Sequence, residues 1–112
     1  MVIGPASNAV WMASAVFDGA RAFDGVAPDL DLHCARAVRS ARIVGLEPSI
    51  SGAEIEALAW EGIARMPADM ALYVCPQFYA DSGFISPDPE TTRFALIIKE
   101  SPLPPPDGFS AC

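Results

Sequence analysis

The sequence has one histidine, His33, one lysine, Lys99, and three widely spaced cysteines, Cys34, Cys75 and Cys112. An odd set of distant thiols does not suggest a disulfide framework. With no C-x-x-C pair and a single imidazole, there is no ligand set for zinc either. Cations are scarce: 7 Lys and Arg against 14 Asp and Glu leave a net charge of -7. Nucleic acid and anionic membranes both require a basic footprint, so neither is expected as a partner. No apolar run approaches the ~20 residues of a spanning helix, and the N-terminus lacks a charged region followed by an apolar one. The sequence therefore predicts a cytoplasmic protein.

What the chain does have is apolar surface. It is 112 residues long and 52% hydrophobic, with a mean hydropathy of +0.31. That length holds one domain. A domain of this size buries proportionally little of its surface, so part of the apolar area is expected to meet something outside the chain. The central stretch is Asp31 to Leu46. Leu32, Ala35, Val38, Ala41 and Val44, flanked by Cys34, Ala37 and Ile43, predict the inward stripe of a helix. Asp31 is placed to cap its start and Gly45 to end it. His33, Arg36, Arg39 and Arg42 wind around the same helix. In an acidic chain this local excess of guanidinium suggests an anion, carboxylate or phosphate, although solvated arginines paired with surface carboxylates fit the pattern equally well.

Met1 to Asn8 reads as loop, and Ala9 to Phe17 as a short buried turn leading into a strand. Phe17 to Phe23 alternates as a strand, Asp24-Gly25 predicts a hairpin turn, and Val26 to Leu30 a brief return strand. After Pro48, Ser51-Gly52-Ala53-Glu54 has the form of a capping box. Ile55, Leu58, Ala59, Gly62, Ile63 and Met66 then predict a second amphipathic helix running to about Arg65. Gly62 on its buried stripe implies close backbone packing. Met70 to Ala80 predicts a strand with Leu72, Val74, Pro76 and Phe78 on one face and Tyr73, Cys75, Gln77 and Tyr79 on the other. Two phenols on one face call for water or a pocket. Pro76 argues for an edge strand or a bulge. Asp81 to Thr92 reads as loop, and Arg93 to Glu100 as a final strand covered on both faces. Ser101 to Gly108 has the composition of a stiff linker, and Phe109 to Cys112 resembles the start of another strand.

Three ordered blocks carry a resemblance. Ala15-Val16-Phe17-Asp18-Gly19-Ala20-Arg21-Ala22-Phe23 is similar to S-V-F-E-G-I-R-A-Y. Leu32-His33-Cys34-Ala35-Arg36 with Ser40-Ala41 is similar to a helix bearing H-x-x-R followed by S-A. Leu72-Tyr73-Val74-Cys75-Pro76 stands where A-Y-x-R-P is found. These belong to the N-terminal small domain of class IV, or fold-type IV, pyridoxal-phosphate aminotransferases, in particular the branched-chain amino acid group. The resemblance implies an α+β, two-layer small domain, with a mostly antiparallel sheet and two helices on one face. Residues 1–101 would form that domain. Residues 102–112 would be the proline-rich linker and the start of a missing C-terminal large domain.

The family's phosphate-binding arginine falls on Arg36, its substrate-pocket phenylalanine on Phe17, and the tyrosine that helps hold the substrate carboxylate on Tyr73. Cys75 replaces the arginine that receives the distal carboxylate of glutamate, and Met12 replaces a pocket tyrosine of many branched-chain enzymes. Both changes make the site more apolar. The resemblance also implies pyridoxal 5'-phosphate as cofactor, amino and keto acids as substrates, and a homodimer. Lys99 is not in the context of the family's Schiff-base lysine, so this chain alone is expected not to transaminate. Two other functions fit: a D-amino-acid or amine transaminase or an aminodeoxychorismate lyase of the same fold type, and a free-standing, non-catalytic interaction domain.

Overall fold

The computed structural model describes residues 3–108 and Ser110. Its elements in chain order are α1 (Asn8–Trp11), β1 (Ala15–Phe17), β2 (Ala20–Ala22), α2 (Leu30–Ile43), α3 (Gly52–Ile63), β3 (Leu72–Ala80), a 3-10 turn at Pro89–Thr91, and β4 (Thr92–Glu100). β3 is central, with β4 antiparallel along its full length on one side and β1 and β2 antiparallel on the other. α2 and α3 pack on one face of this sheet. This is the expected two-layer α+β arrangement.

β1 and β2 are one interrupted strand. Phe17 lies opposite Gln77 and Ala20 opposite Val74, so Asp18 and Gly19 fall level with Pro76 and Cys75 and pairing resumes without a shift. Proline is responsible. The Asp18 N–H donates to the Pro76 carbonyl at 3.1 Å, but Pro76 has no N–H to return, and the strand breaks where that donor is missing. Pro76 therefore sits in the middle strand, not at the edge or bulge its sequence suggested, and its neighbour is the strand that is interrupted. Phe17–Phe23 is accordingly not one continuous strand.

Beyond β2, Phe23 and Val26 exchange backbone hydrogen bonds of 3.0 Å around Asp24 and Gly25, whose φ values are 51° and 76°. This is the right-handed-twisting type I′ hairpin turn. The predicted return strand is reduced to that one bridge, because Pro28 and Asp29 turn the chain into α2. The helix cap is Asp29, in the left-handed region and without a side-chain cap bond, rather than Asp31.

The inward stripe of α2 is Leu30, Cys34, Ala37, Val38 and Ala41. Leu32, Ala35, Val44 and Ile43, assigned inward from sequence, are exposed. The period-three series drifts around a helix of 3.6 residues per turn, whereas i, i+4, i+7, i+8 and i+11 stay on one face. Gly45 ends the helix as expected: its N–H reaches the Arg42 carbonyl and that of Leu46 reaches Ala41, a Schellman closure with Gly45 at φ 84° and Leu46 buried.

The α3 capping box forms, with Ser51 Oγ accepting from the Glu54 N–H and Glu54 accepting from the Ser51 N–H. Ile55 and Ala59 are buried on α3, while Leu58 is exposed. The close backbone approach lies at Gly52, where a Cβ would sit 3.0 Å from Ala35 Cα. Gly62 instead faces a side chain: a Cβ there would come 2.3 Å from Ile98 Cδ1. The core is completed by Leu72, Val74, Phe78 and Ala80 of β3, with Phe94, Leu96 and Ile98 of β4 packed against it.

β4 is covered on the helix side only, since Arg93, Ile97 and Lys99 on its other side are exposed. Near the N-terminus, the predicted buried turn is a single helical turn with Val10, Trp11 and Met12 exposed. Buried Asn8 ties it to the carbonyls of Gly83 and Phe84. Residues 102–108 are exposed and carry no helix or strand. Of the strand start expected at 109–112, Phe109, Ala111 and Cys112 lie outside the described residues, as do Met1 and Val2 of the N-terminal loop.

Candidate functional site

Residues directly opposite in an antiparallel pair point to the same face. The register therefore places Phe17, Arg21, Tyr73, Cys75, Gln77, Tyr79, Ile97 and Lys99 together on the face turned away from the helices. Phe17 is 66% exposed there, which removes the ordinary-core reading of that side chain. Tyr73 is flanked across the ladder by Arg21 and Lys99, with Lys99 Nζ 5.8 Å from the ring centroid. Arg21 is turned to the Ser101 carbonyl, 2.7 Å from Nη1.

Gly19 makes room for Tyr73. A Cβ on Gly19 would lie 2.7 Å from the tyrosine hydroxyl and 2.8 Å from Cε2, so only glycine lets the ring lie against the strand interruption. Burial, then a hydrogen bond to Cys75, then the nearby charge of Asp18 push the Tyr73 hydroxyl above its ordinary value. It stays protonated at neutral pH and available as a donor. Cys75 is 5% exposed and free. Cys34, wholly inside the core, has its thiol pushed up to about 11 by burial and by the carboxylates of Glu56, Asp18 and Asp31, which makes it an inert packing residue.

Asp18 points the other way, toward α2, because it lies opposite Pro76 on the helix face. Its carboxylate is only 8% exposed and receives three contacts from that helix. Arg36 Nε donates to Oδ2 at 2.5 Å, Arg36 Nη2 to Oδ1 at 2.8 Å, and His33 Nδ1 lies 2.7 Å from Oδ1. A carboxylate can only accept, so His33 carries its proton on Nδ1. The 3.0 Å approach of Arg36 Nη2 to that nitrogen is then proximity, not a hydrogen bond. Burial raises the Asp18 carboxyl, but the hydrogen bonds and charges of Arg36 and His33 outweigh it and hold the group below its ordinary value. Reciprocally, hydrogen bonding and charge from Asp18 raise Arg36.

Among the described residues, Arg39 and Arg42 take part in no ion pair, so the arginine series divides into one locked member and two solvated ones. The structure thus gathers Phe17, Tyr73 and Cys75 on the face turned away from the helices, while Arg36 stands on the helix side of the sheet and meets the same strand only through Asp18, the residue after Phe17. Met12 is not on the sheet: it follows α1 and is 41% exposed. Asp18, His33 and Gly19 were not singled out for the site by sequence. The available signal was an acid followed by glycine inside an apolar strand, since a carboxylate there must find a cation.

The profile of the amino-transferase class IV family matches residues 15–110. No curated protein matches the chain. Among solved structures, an aminotransferase from Brucella abortus bound to the cofactor PLP is 46% identical with a TM-score of 0.92, the match covering 98% of this chain and 40% of that one. A branched-chain aminotransferase from the archaeon Thermoproteus uzoniensis, with norvaline, is 26% identical with a TM-score of 0.72, over 92% of this chain and 36% of that one. The branched-chain amino acid aminotransferase of Escherichia coli shares the fold at 19% identity and a TM-score of 0.77, over 89% and 36%. The chain spans 40% or less of the length of each of these structures. No helix among the described residues is long and apolar enough to cross a membrane.

Proposed function

Because the chain belongs to the amino-transferase class IV family, we propose that it is the N-terminal small domain of a pyridoxal-phosphate-dependent aminotransferase for branched-chain or similarly apolar amino acids. The observation that carries this reading is the held guanidinium of Arg36. Its pair with Asp18 uses Nε and Nη2, leaving Nη1 outside it, and the side chain is 51% exposed. A fixed, half-exposed guanidinium is the right donor for a phosphate ester, so the residues present fit the cofactor. When bound, the cofactor supplies the electron sink that makes amino and keto acids interconvertible.

The chain's own residues bind and orient. Arg36 anchors the phosphate, Tyr73 donates its hydroxyl to the substrate carboxylate, and exposed Phe17 offers an apolar surface for the substrate side chain. Cys75 lies on the same face, and Met12, exposed after α1, is the further apolar side chain assigned to the substrate. The Schiff-base lysine would come from the remainder of a longer protein, since this chain spans only 40% of the aminotransferase it matches at 46% identity and Lys99 is not in the context of the family's lysine. The protein is cytoplasmic, and a homodimer would cover the apolar side chains left exposed at Trp11, Phe84 and Ile85.

Cys75 favours a second reading within the same fold type. A buried thiol cannot form a bidentate pair with a distal carboxylate, which leaves room for a D-amino-acid or amine transaminase or an aminodeoxychorismate lyase. A donor screen on the full-length protein decides between them. Turnover of leucine, isoleucine or valine supports the first reading; turnover confined to D-amino acids, amines or aminodeoxychorismate selects the second. Failure to bind pyridoxal phosphate at all removes both and leaves a non-catalytic interaction domain.

A further inference from the structure

Arg36 does not hold itself in place. It projects from α2 with half its surface in solvent, and a free arginine of that kind samples many rotamers. What fixes it is one carboxylate. Asp18 is itself immobile: it is buried, it sits where Pro76 interrupts the edge strand, and its N–H is tied to the Pro76 carbonyl. Both its oxygens are committed to the helix, Oδ2 to Arg36 Nε and Oδ1 to Arg36 Nη2 and His33 Nδ1.

The edge of the guanidinium that Asp18 occupies also matters. The pair is side-on, through Nε and Nη2, so the end-on edge that includes Nη1 remains outside it. A carboxylate competing with an incoming anion would cover that end instead.

Resting on the reading that Arg36 anchors the cofactor phosphate, we infer that Asp18 is a positioning residue for phosphate recognition: it clamps the side-on edge of Arg36, with His33 as a second strut, and presents the end-on edge to the phosphate. The negative charge of Asp18 acts against phosphate binding, and the inference requires the gain from fixing the guanidinium to exceed that repulsion. The two effects have opposite signs in an experiment.

The test uses the full-length protein and two ligands, pyridoxal 5'-phosphate and pyridoxal, which lacks the phosphate. The ratio of their dissociation constants measures phosphate recognition separately from the rest of the site. Asp18→Ala should reduce the preference for the phosphorylated ligand by about tenfold, the scale seen when the outer partner of an ion-binding group is removed, with pyridoxal affinity unchanged. Asp18→Asn keeps the volume and one acceptor, guards against a folding failure, and should reduce the preference in the same direction.

Three results overturn the inference: an unchanged preference, an increased one (Asp18 competes with the phosphate), or an equal loss of both ligands (Asp18 is merely structural). Arg36→Ala separates this from failure of the underlying reading. If it lowers the preference while the Asp18 variants do not, only the positioning role falls. If it also leaves the preference intact, Arg36 is not the phosphate anchor.

Discussion

Asp18 holds Arg36 by a two-point contact, Nε on Oδ2 at 2.5 Å and Nη2 on Oδ1 at 2.8 Å, that joins the interrupted edge strand to the front half of α2. This contact links the proline in the middle strand, through the strand break it causes, to the orientation of the proposed phosphate anchor.

The same contact makes the domain acid-sensitive. The folded-state Asp18 carboxyl lies below its ordinary value of about 4, so on acidification the unfolded chain takes up the proton first. The stability from this group is fully present above the unfolded pKa and is lost as pH falls through the folded one. Thermal unfolding between pH 6 and 2 should show a declining acid limb that is shallower in Asp18→Asn, with lower stability at neutral pH. An unaltered limb in the variant would assign the acid sensitivity to other carboxylates.

Gly19 and Tyr73 form a second dependent pair. Gly19→Ala places a methyl group against the tyrosine hydroxyl and Cε2, forcing the ring off the strand. In the full-length protein this should raise the KM for the amino acid about tenfold or more, as expected for a misplaced positioning group, while cofactor affinity changes little. Steady-state kinetics beside a cofactor titration distinguish this from general unfolding.

The glycines of α3 should behave differently from one another. Gly52→Ala meets the backbone of α2 at Ala35 and Cys34, which cannot step aside, and should cost about 1–3 kcal/mol in denaturant melts. Gly62→Ala meets only the end of the Ile98 side chain. Adding Ile98→Val removes the contacting methyl, so the double variant should recover part of whatever Gly62→Ala loses, helped by about 1 kcal/mol of helix propensity.

At the start of the same helix, Ser51→Ala removes the acceptor for the Glu54 N–H and should lower stability by about 1 kcal/mol. Ser51→Asp, which keeps an acceptor, should restore most of it. Chemical denaturation of the three proteins measures both.

What could be read from sequence followed the range of the interactions involved. α3 was legible because its signals are local: a serine and a glutamate three residues apart at one end, and Pro67 beyond the other. The Asp24-Gly25 hairpin and the Gly45 stop were legible for the same reason. The inward stripe of α2 was only half assigned, with Cys34, Ala37, Val38 and Ala41 placed correctly, because alanine and cysteine give little contrast between faces, and Leu30, its largest buried side chain, precedes the stretch that looked helical. The strand break at Asp18 was invisible because its cause, Pro76, lies far along the chain. Of the site, Arg36, Phe17, Tyr73, Cys75 and Met12 came from resemblance. The Asp18 clamp required the tertiary pairing.

The broken edge strand also sets a rule of chain length. Pairing on both sides of Asp18-Gly19 keeps one register along β3, so this spacer works as a phase element with a parity of two. Losing or gaining one residue there would invert one segment relative to the other, burying Phe17 beneath the helices or turning Arg21 inward. The length of this spacer is therefore as tightly constrained as the acid and the glycine that fill it.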